Sequence, residues 1–80
     1  MFYVYILYSE FLDRFYIGMS HDPKERLTKH LQKHAGFTSR AKDWKIVYTE
    51  EFPTKEHASE RERQIKKWKS KPMIRNLIGS

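Results

Sequence analysis

The 80-residue sequence predicts an α+β fold, a small three-stranded sheet flanked by helices in the order β-β-α-β-α-α. Three observations support this prediction. Runs rich in aromatic and β-branched residues occur three times, bounded by turn-forming residues. Amphipathic stretches that begin with capping residues follow the second and third runs. A mixture of this kind is typical of helices packed on a sheet.

The strands are predicted from the three apolar runs. Residues 2–8, FYVYILY, are apolar throughout, which indicates a strand covered on both faces. Residues 15–19, FYIGM, form the second strand of a hairpin, because turn-formers separate the two runs. Residues 44–52, WKIVYTEEF, are the third strand.

The first helix is predicted from Pro23 to about His34, stopping near Gly36. Asp22 is its capping residue, Pro23 suits the first helical position, and Glu25 stands where a capping box has its glutamate.

After Pro53 ends the third strand, Thr54 is predicted to cap a second helix over Lys55–Lys69. Residues 73–78, MIRNLI, predict a short final helix. Because the chain has no repeat, linker or low-complexity tract, we expect one domain over residues 1–80.

Composition narrows the class of partner. The net charge is +6 and the isoelectric point about 9.7, which suits a polyanion, nucleic acid before anionic membrane. There is no cysteine, so disulfides and thiolate metal sites are excluded and a reducing cytoplasm is favoured. The apolar N-terminal stretch is too short to span a bilayer, and we expect a cytoplasmic protein that does not act on membranes.

One glutamate breaks the packing rule of the second helix. Ala58, Ile65 and Trp68 form its predicted buried stripe, and Glu62 falls in the middle of that stripe. A carboxylate aimed at a core is costly unless it is paired or binds a cation. Glu62 therefore either forms a structural ion pair, leans out to solvent, or holds a metal ion.

Arg26, His30 and His34 form a row on the first helix. The row is either a solvated face or part of a site. A zinc site on His30 and His34 has suitable spacing but lacks a convincing third ligand.

Tyrosines supply the third element. Tyr3 and Tyr5 share one face of the first strand, and Tyr16 comes from its neighbour. Each alone suits a core, but several hydroxyls near an arginine and a histidine suit a site.

These residues together resemble a known family. Residues 3–5, YVY, and 16–18, YIG, resemble the two signature tripeptides of the GIY-YIG nuclease superfamily. Residues 25–30, ERLTKH, resemble its helix with an arginine and, four residues on, a histidine, and residues 58–69, ASERERQIKKWK, resemble the later helix that supplies a glutamate. The resemblance covers nearly the whole chain and is closest to small stand-alone bacterial members, which are similar to the nuclease domain of an excision-repair subunit.

The resemblance implies an antiparallel sheet and metal-assisted cleavage of phosphodiester bonds. Tyr5 would stand beside the attacking water, as general base or as its orienter, and Tyr16 would form hydrogen bonds within the site. Arg26 would face the scissile phosphate and His30 would assist proton transfer. Glu62 would be the single ligand of one Mg²⁺ or Mn²⁺ ion.

The sequence departs from the family pattern at several positions, and the resemblance also implies a structural role for one glycine. Tyr3 and Val4 stand where the family name has glycine and isoleucine, and Asn76 is the only candidate for an asparagine that many relatives carry near the C-terminus. Gly18 would be structural, allowing the second strand to leave the sheet next to the substrate.

The sequence therefore predicts a divalent-metal-dependent endonuclease, with DNA its most favoured substrate, little sequence preference, and a link to DNA repair or recombination that allows a repair-protein partner. The alternative is a catalytically silent module that binds nucleic acid or a partner; such a module has no need for Tyr5, Tyr16, Arg26 and Glu62 together. Predicted phosphate contacts come from Arg40, Lys42, Arg61, Lys66 and Lys69.

Overall fold

The computed structural model of the protein describes residues 1–32 and 41–79, apart from the side chains of His30 and Gln32. The predicted α+β order is confirmed. The elements are β1 (Phe2–Ser9), β2 (Arg14–Ser20), α1 (Pro23–Gln32), β3 (Lys45–Phe52), α2 (Lys55–Trp68) and α3 (Lys71–Gly79). Within the described ranges, no helix is both long and apolar enough to cross a bilayer.

Strand β1 is the centre of an antiparallel sheet with the order β2-β1-β3. The prediction that this strand is covered on both faces is confirmed, since consecutive residues from Val4 to Leu7 are buried. A strand that carries apolar side chains on both of its faces needs a covering layer on each face. The fold supplies both layers.

The two faces of the sheet are covered by different helices. One core cluster joins β1 to α2 and α3, and contains Val4, Ile6, Ala58, Ile65 and Ile74. The other is built around Tyr5, Leu7 and Trp44, against which Leu27 and Leu31 of α1 pack. Tyr5 and Tyr16 therefore lie on the α1 face.

Helix α1 begins as predicted but without the full capping box. The Asp22 side chain accepts a hydrogen bond from the Glu25 backbone N–H at 3.2 Å. The reciprocal bond is absent, because the Asp22 N–H donates to Ser20 Oγ at 3.0 Å and Glu25 pairs with Lys29 at 3.2 Å. The predicted end of this helix, at His34 and Gly36, lies outside the described residues.

Helix α2 has the predicted cap, since Thr54 Oγ1 accepts from the His57 backbone N–H at 3.3 Å. It ends at Trp68, one residue before the predicted end, because Lys69 adopts a left-handed conformation with φ 48°. Helix α3 is longer than predicted: it begins at Lys71, with Pro72 in its first turn, where proline is tolerated.

Two carboxylates fix the β1–β2 hairpin. Asp43 accepts from Ser9 Oγ at 2.6 Å and from the Phe11 N–H at 2.9 Å, and the Ser9 hydrogen bond is the main cause that lowers the pKa of this carboxyl. Asp13 ties the hairpin to α3: it accepts from Tyr8 at 2.6 Å and from Lys71 and Arg75 at 3.0 Å each. The Tyr8 hydrogen bond and then the one from Lys71 lower the pKa of Asp13 to about 2.

Candidate active site

Tyr5 and Gly18 are cross-strand partners in the β1–β2 ladder. A Cβ atom at position 18 would lie 2.5 Å from the Tyr5 hydroxyl oxygen and 2.6 Å from its Cζ. The Tyr5 ring therefore lies over Gly18, and its hydroxyl reaches strand β2, at the edge of the sheet. Only glycine leaves room for this arrangement.

This geometry corrects the expectation for Gly18. The resemblance implies a glycine that lets the strand leave the sheet, but β2 continues through it to Ser20, still paired with β1. Gly18 is structural for a different reason, which is the space taken by the Tyr5 side chain.

The Tyr5 hydroxyl lies near three other predicted site residues. Arg26, from α1, forms a hydrogen bond with it, and Tyr16 and Glu62 lie close enough to influence its ionisation. Burial is the largest influence and, with the neighbouring Tyr16, raises the pKa of Tyr5 to about 12. The charge and hydrogen bond of Arg26 act in the opposite direction, and Glu62 raises the pKa further.

Glu62 reaches this group from the other face of the sheet. Its helix packs on the face opposite α1, but Glu62 and Lys66 lie on the side of α2 that is nearer β2. The Glu62 side chain is 20% exposed, and its ion-pair partner among the described residues is Lys66, at the long distance of 3.7 Å. The glutamate is thus largely covered yet weakly balanced.

Arg61, one residue earlier, lies on the opposite side of α2. Its Nε donates to Glu50 of β3 at 3.0 Å, a second guanidinium nitrogen donates to Gln64 at 2.6 Å, and the guanidinium carbon lies 5.6 Å from the Trp68 ring centre. Glu50 also accepts from Tyr48 at 2.6 Å. Arg61 was predicted to contact phosphate, but in the structure its guanidinium is paired with Glu50 and bonded to Gln64.

The remaining predicted residues are spread more widely. Lys66 and Lys69 line a groove beside β2, and Lys42 is exposed in the segment before β3. His30 lies in α1, where only its backbone is described, and Arg40 lies outside the described residues. The structure adds Arg14, which lines the same groove as Lys66 and which no local sequence pattern singled out.

The donor set fits one type of metal site and not another. In the described part of the chain, no group of three or more His, Asp or Glu side chains could hold a metal ion. Mg²⁺, however, is commonly bound through one or two carboxylates, with water and substrate phosphates completing its octahedron. Glu62, covered and weakly balanced, suits that second type of site.

A comparison with protein families identifies the fold. The family model for the GIY-YIG catalytic domain matches residues 1–76. The chain belongs to the GIY-YIG family. No curated protein and no solved structure gives a significant match. Membership indicates a nuclease-type fold and nucleic acid as the class of substrate, so the residues around Tyr5 lie in a GIY-YIG domain.

Proposed function

We propose that this GIY-YIG protein is a divalent-metal-dependent endonuclease that hydrolyses phosphodiester bonds in DNA with little sequence preference, and that it serves DNA repair or recombination. The observation that carries the proposal is that Tyr16, Arg26 and Glu62 all lie near enough to Tyr5 to influence its ionisation. These residues come from three different elements and from both sides of the sheet. Packing alone does not require a carboxylate and a guanidinium at one tyrosine.

Arg26 supplies the phosphate contact. It is exposed, so a substrate can approach it, and its planar guanidinium can hold two phosphate oxygens at once. As water attacks the phosphorus, negative charge grows on those oxygens, and the fixed positive charge of Arg26 stabilises it.

Tyr5 positions the attacking water. With its pKa raised to about 12, the phenol holds its proton at neutral pH and acts as a hydrogen-bonding group. To act as a general base it must first lose that proton, which the charge of Arg26 favours. Tyr16 packs beside it on the same face and helps to fix the ring.

Glu62 is the residue that would hold the divalent ion, Mg²⁺ or Mn²⁺. When bound, that ion would polarise a phosphoryl oxygen and stabilise charge on the leaving oxygen. The water oxygen forms a bond to phosphorus, the bond from phosphorus to the 3′ oxygen breaks, and a proton ends on that oxygen. The products carry a 5′-phosphate and a 3′-hydroxyl.

The test is cleavage of labelled duplex, single-stranded, flap and junction DNA, with matching RNA, in Mg²⁺, Mn²⁺ or EDTA. Wild type is compared with Glu62→Gln and with Glu60→Gln, an exposed glutamate two residues away on the same helix. We expect metal-dependent cutting by wild type and Glu60→Gln, and a loss of about a hundred- to a thousandfold in Glu62→Gln.

Two outcomes contradict the proposal. Equal cutting by all three proteins would show that the cleavage does not depend on Glu62, as when a contaminant is responsible. Salt-sensitive binding of DNA without cutting of any substrate would favour the catalytically silent binding module instead.

A further inference from the structure

A groove runs between strand β2 and the junction of α2 with α3. Its floor is apolar, formed by side chains of the sheet and of both helices. Its polar lining contains four cations and one hydroxyl but no carboxylate: Arg14, Lys66, Lys69, Lys71 and Ser70. We call this feature the β2 groove. A concave surface lined by one sign of charge concentrates ions of the opposite sign.

Most of the positive charge in the β2 groove is not neutralised by carboxylates of the described residues. Lys71 is, because it forms an ion pair with Asp13 at 3.0 Å. Arg14 and Lys69 are exposed and form no ion pair with any side chain in the described ranges. Lys66 has only the 3.7 Å contact with Glu62. Three cations therefore remain for an external anion.

Lys69 is placed where local folding does not favour a lysine. It has φ 48° and ψ 34° at the end of α2, a left-handed conformation that glycine adopts without strain. For a residue with a side chain, this conformation costs on the order of 1 kcal/mol. The junction would therefore close with less strain if glycine stood at this position.

The β2 groove shares one side of helix α2 with Glu62 of the candidate active site. Glu62, Lys66 and Lys69 are spaced four and three residues apart along one side of α2. At 1.5 Å per residue, the row from Glu62 to Lys69 spans about 10 Å. One strand of B-DNA rises 3.4 Å per nucleotide, so the row covers about three nucleotides.

We infer that the β2 groove binds the sugar-phosphate backbone of the strand next to the cut, within about three nucleotides of the scissile phosphate, through Arg14, Lys66 and Lys69. This inference rests on the proposed function, because it takes the Tyr5–Glu62 group as the place of cleavage. Three cations on an apolar floor contact phosphates and sugars and read no base sequence. The groove thus provides affinity without specificity.

The other long side of α2 offers a matched control. Arg63 and Lys67 are exposed there, in a hollow that also contains Glu60, and Lys45 is exposed on β3. The groove variant Arg14→Gln/Lys66→Gln/Lys69→Gln and the control variant Lys45→Gln/Arg63→Gln/Lys67→Gln remove the same charge. Lys69→Gly removes one groove charge and also relieves the left-handed conformation, so weaker binding by this variant does not come from misfolding.

Binding of a fluorescein-labelled 20-base-pair duplex is measured by anisotropy in EDTA, over a range of salt concentrations. Removing one cation that binds a phosphate makes the slope of log K against log [salt] shallower by about 0.9. We expect a change of about 2 to 3 for the groove variant, about 1 for Lys69→Gly, and less than 1 for the control. Equal weakening of the groove and control variants would overturn the inference, since binding would then follow net charge alone. Unchanged binding by the groove variant would overturn it too.

Because the anisotropy experiment measures binding and not cleavage, it can refute the role of the β2 groove without refuting the nuclease, and the cleavage assay can do the reverse. Groove-dependent binding without cutting of any substrate would leave the β2 groove as a backbone-binding surface and refute the nuclease. Cutting that depends on Glu62, with binding indifferent to the groove cations, would refute the groove alone.

Discussion

On the β3 side of helix α2, Arg61 contacts Glu50, Gln64 and Trp68, and Glu50 also accepts a hydrogen bond from Tyr48. On the β2 side, Glu62 has Lys66 at 3.7 Å, and Lys69 has no ion-pair partner in the part of the chain that the structure describes. The same helix therefore carries a charged network centred on Arg61 on its β3 side and the weakly balanced charges of Glu62, Lys66 and Lys69 on its β2 side.

The difference shows how one short helix serves both stability and function. Hydrogen-bonded charges in a partly buried network stabilise the fold, and removing one partner leaves the other unsatisfied. Weakly balanced charges add little to stability, but they can bind a cation or a phosphate. Substitutions on the two sides of α2 should therefore affect different quantities, stability on the β3 side and activity or binding on the β2 side.

The largest loss of cleavage activity is expected from a substitution at Arg26, which lies in α1 on the other face of the sheet from α2. Arg26→Ala should reduce cleavage by about a hundred- to a thousandfold, because a charge that stabilises the transition state is removed. Arg26→Lys should recover little, since an ammonium group cannot hold two phosphate oxygens in the same geometry. The measurement is the single-turnover rate on the best substrate found.

The control for Arg26 is Lys29→Ala, which removes an exposed cation from the same helix and breaks only a surface ion pair with Glu25. Its cutting rate should stay within about twofold of wild type, since such surface pairs contribute little to stability. Similar losses for Arg26→Ala and Lys29→Ala would show that α1 contributes general charge and not a specific phosphate contact.

The next effect concerns the space beneath Tyr5. Gly18→Ala should lower the free energy of unfolding by about 1 to 3 kcal/mol, because the added methyl group collides with the Tyr5 ring. It should also reduce cleavage, because the hydroxyl must move. Urea unfolding and single-turnover cleavage measure the two consequences.

Two comparisons sharpen the test of Gly18. Gly79→Ala is a matched control, since nothing lies within 4 Å of a Cβ atom at that position. In a Tyr5→Leu background the cost of Gly18→Ala should shrink, because the shorter side chain no longer covers the glycine. The same cost in both backgrounds would mean that the collision with Tyr5 is not the cause.

The smallest effect is expected far from the site, at Asp13. The hydrogen bond from Tyr8 and the contacts of Lys71 lower the pKa of Asp13 to about 2, below its ordinary value of 3.8. A carboxyl whose pKa is lowered by folding stabilises the folded state at pH values above its ordinary pKa. That stabilisation is lost as the pH falls through the pKa of the folded state. The unfolding midpoint of wild type should therefore fall between pH 4 and pH 2.

Asp13→Asn removes the titrating group, so its unfolding midpoint should depend less on pH over the same interval. Cleavage at neutral pH should be unchanged, since Asp13 ties the hairpin to α3 and does not contact the Tyr5 group. Parallel pH curves for the two proteins would show that Asp13 is not ion-paired in solution.

The sequence predicted most of the fold because its signals are local. The apolar run of β1, the Asp22 and Thr54 caps and the stripe on α2 each depend on residues a few positions apart, and each is found in the structure. The capping box was only half right, because the Asp22 N–H donates to the Ser20 hydroxyl, two residues earlier, and not to Glu25.

The parts that the sequence did not predict depend on contacts between distant residues. Asp43 bonds Ser9 across 34 positions, and Arg75 bonds Asp13 across 62. The reason for Gly18 is likewise a side chain on another strand. Arg61 and Glu62 differ by one residue, and only the packing of α2 decides which points toward β3 and which toward β2.

The most direct test of the division along α2 uses the same substitution on each side of it. Glu62→Gln should reduce metal-dependent cleavage by about a hundred- to a thousandfold and leave the free energy of unfolding unchanged or slightly higher. Glu50→Gln should lower that free energy by about 1 to 2 kcal/mol, because it weakens the charge-assisted bonds to Tyr48 and Arg61, and should leave the cleavage rate of folded protein unchanged. Both quantities are measured on the two variants in parallel, by urea unfolding and single-turnover cleavage. Full activity in Glu62→Gln, or a loss of activity in Glu50→Gln as large as in Glu62→Gln, would contradict the account.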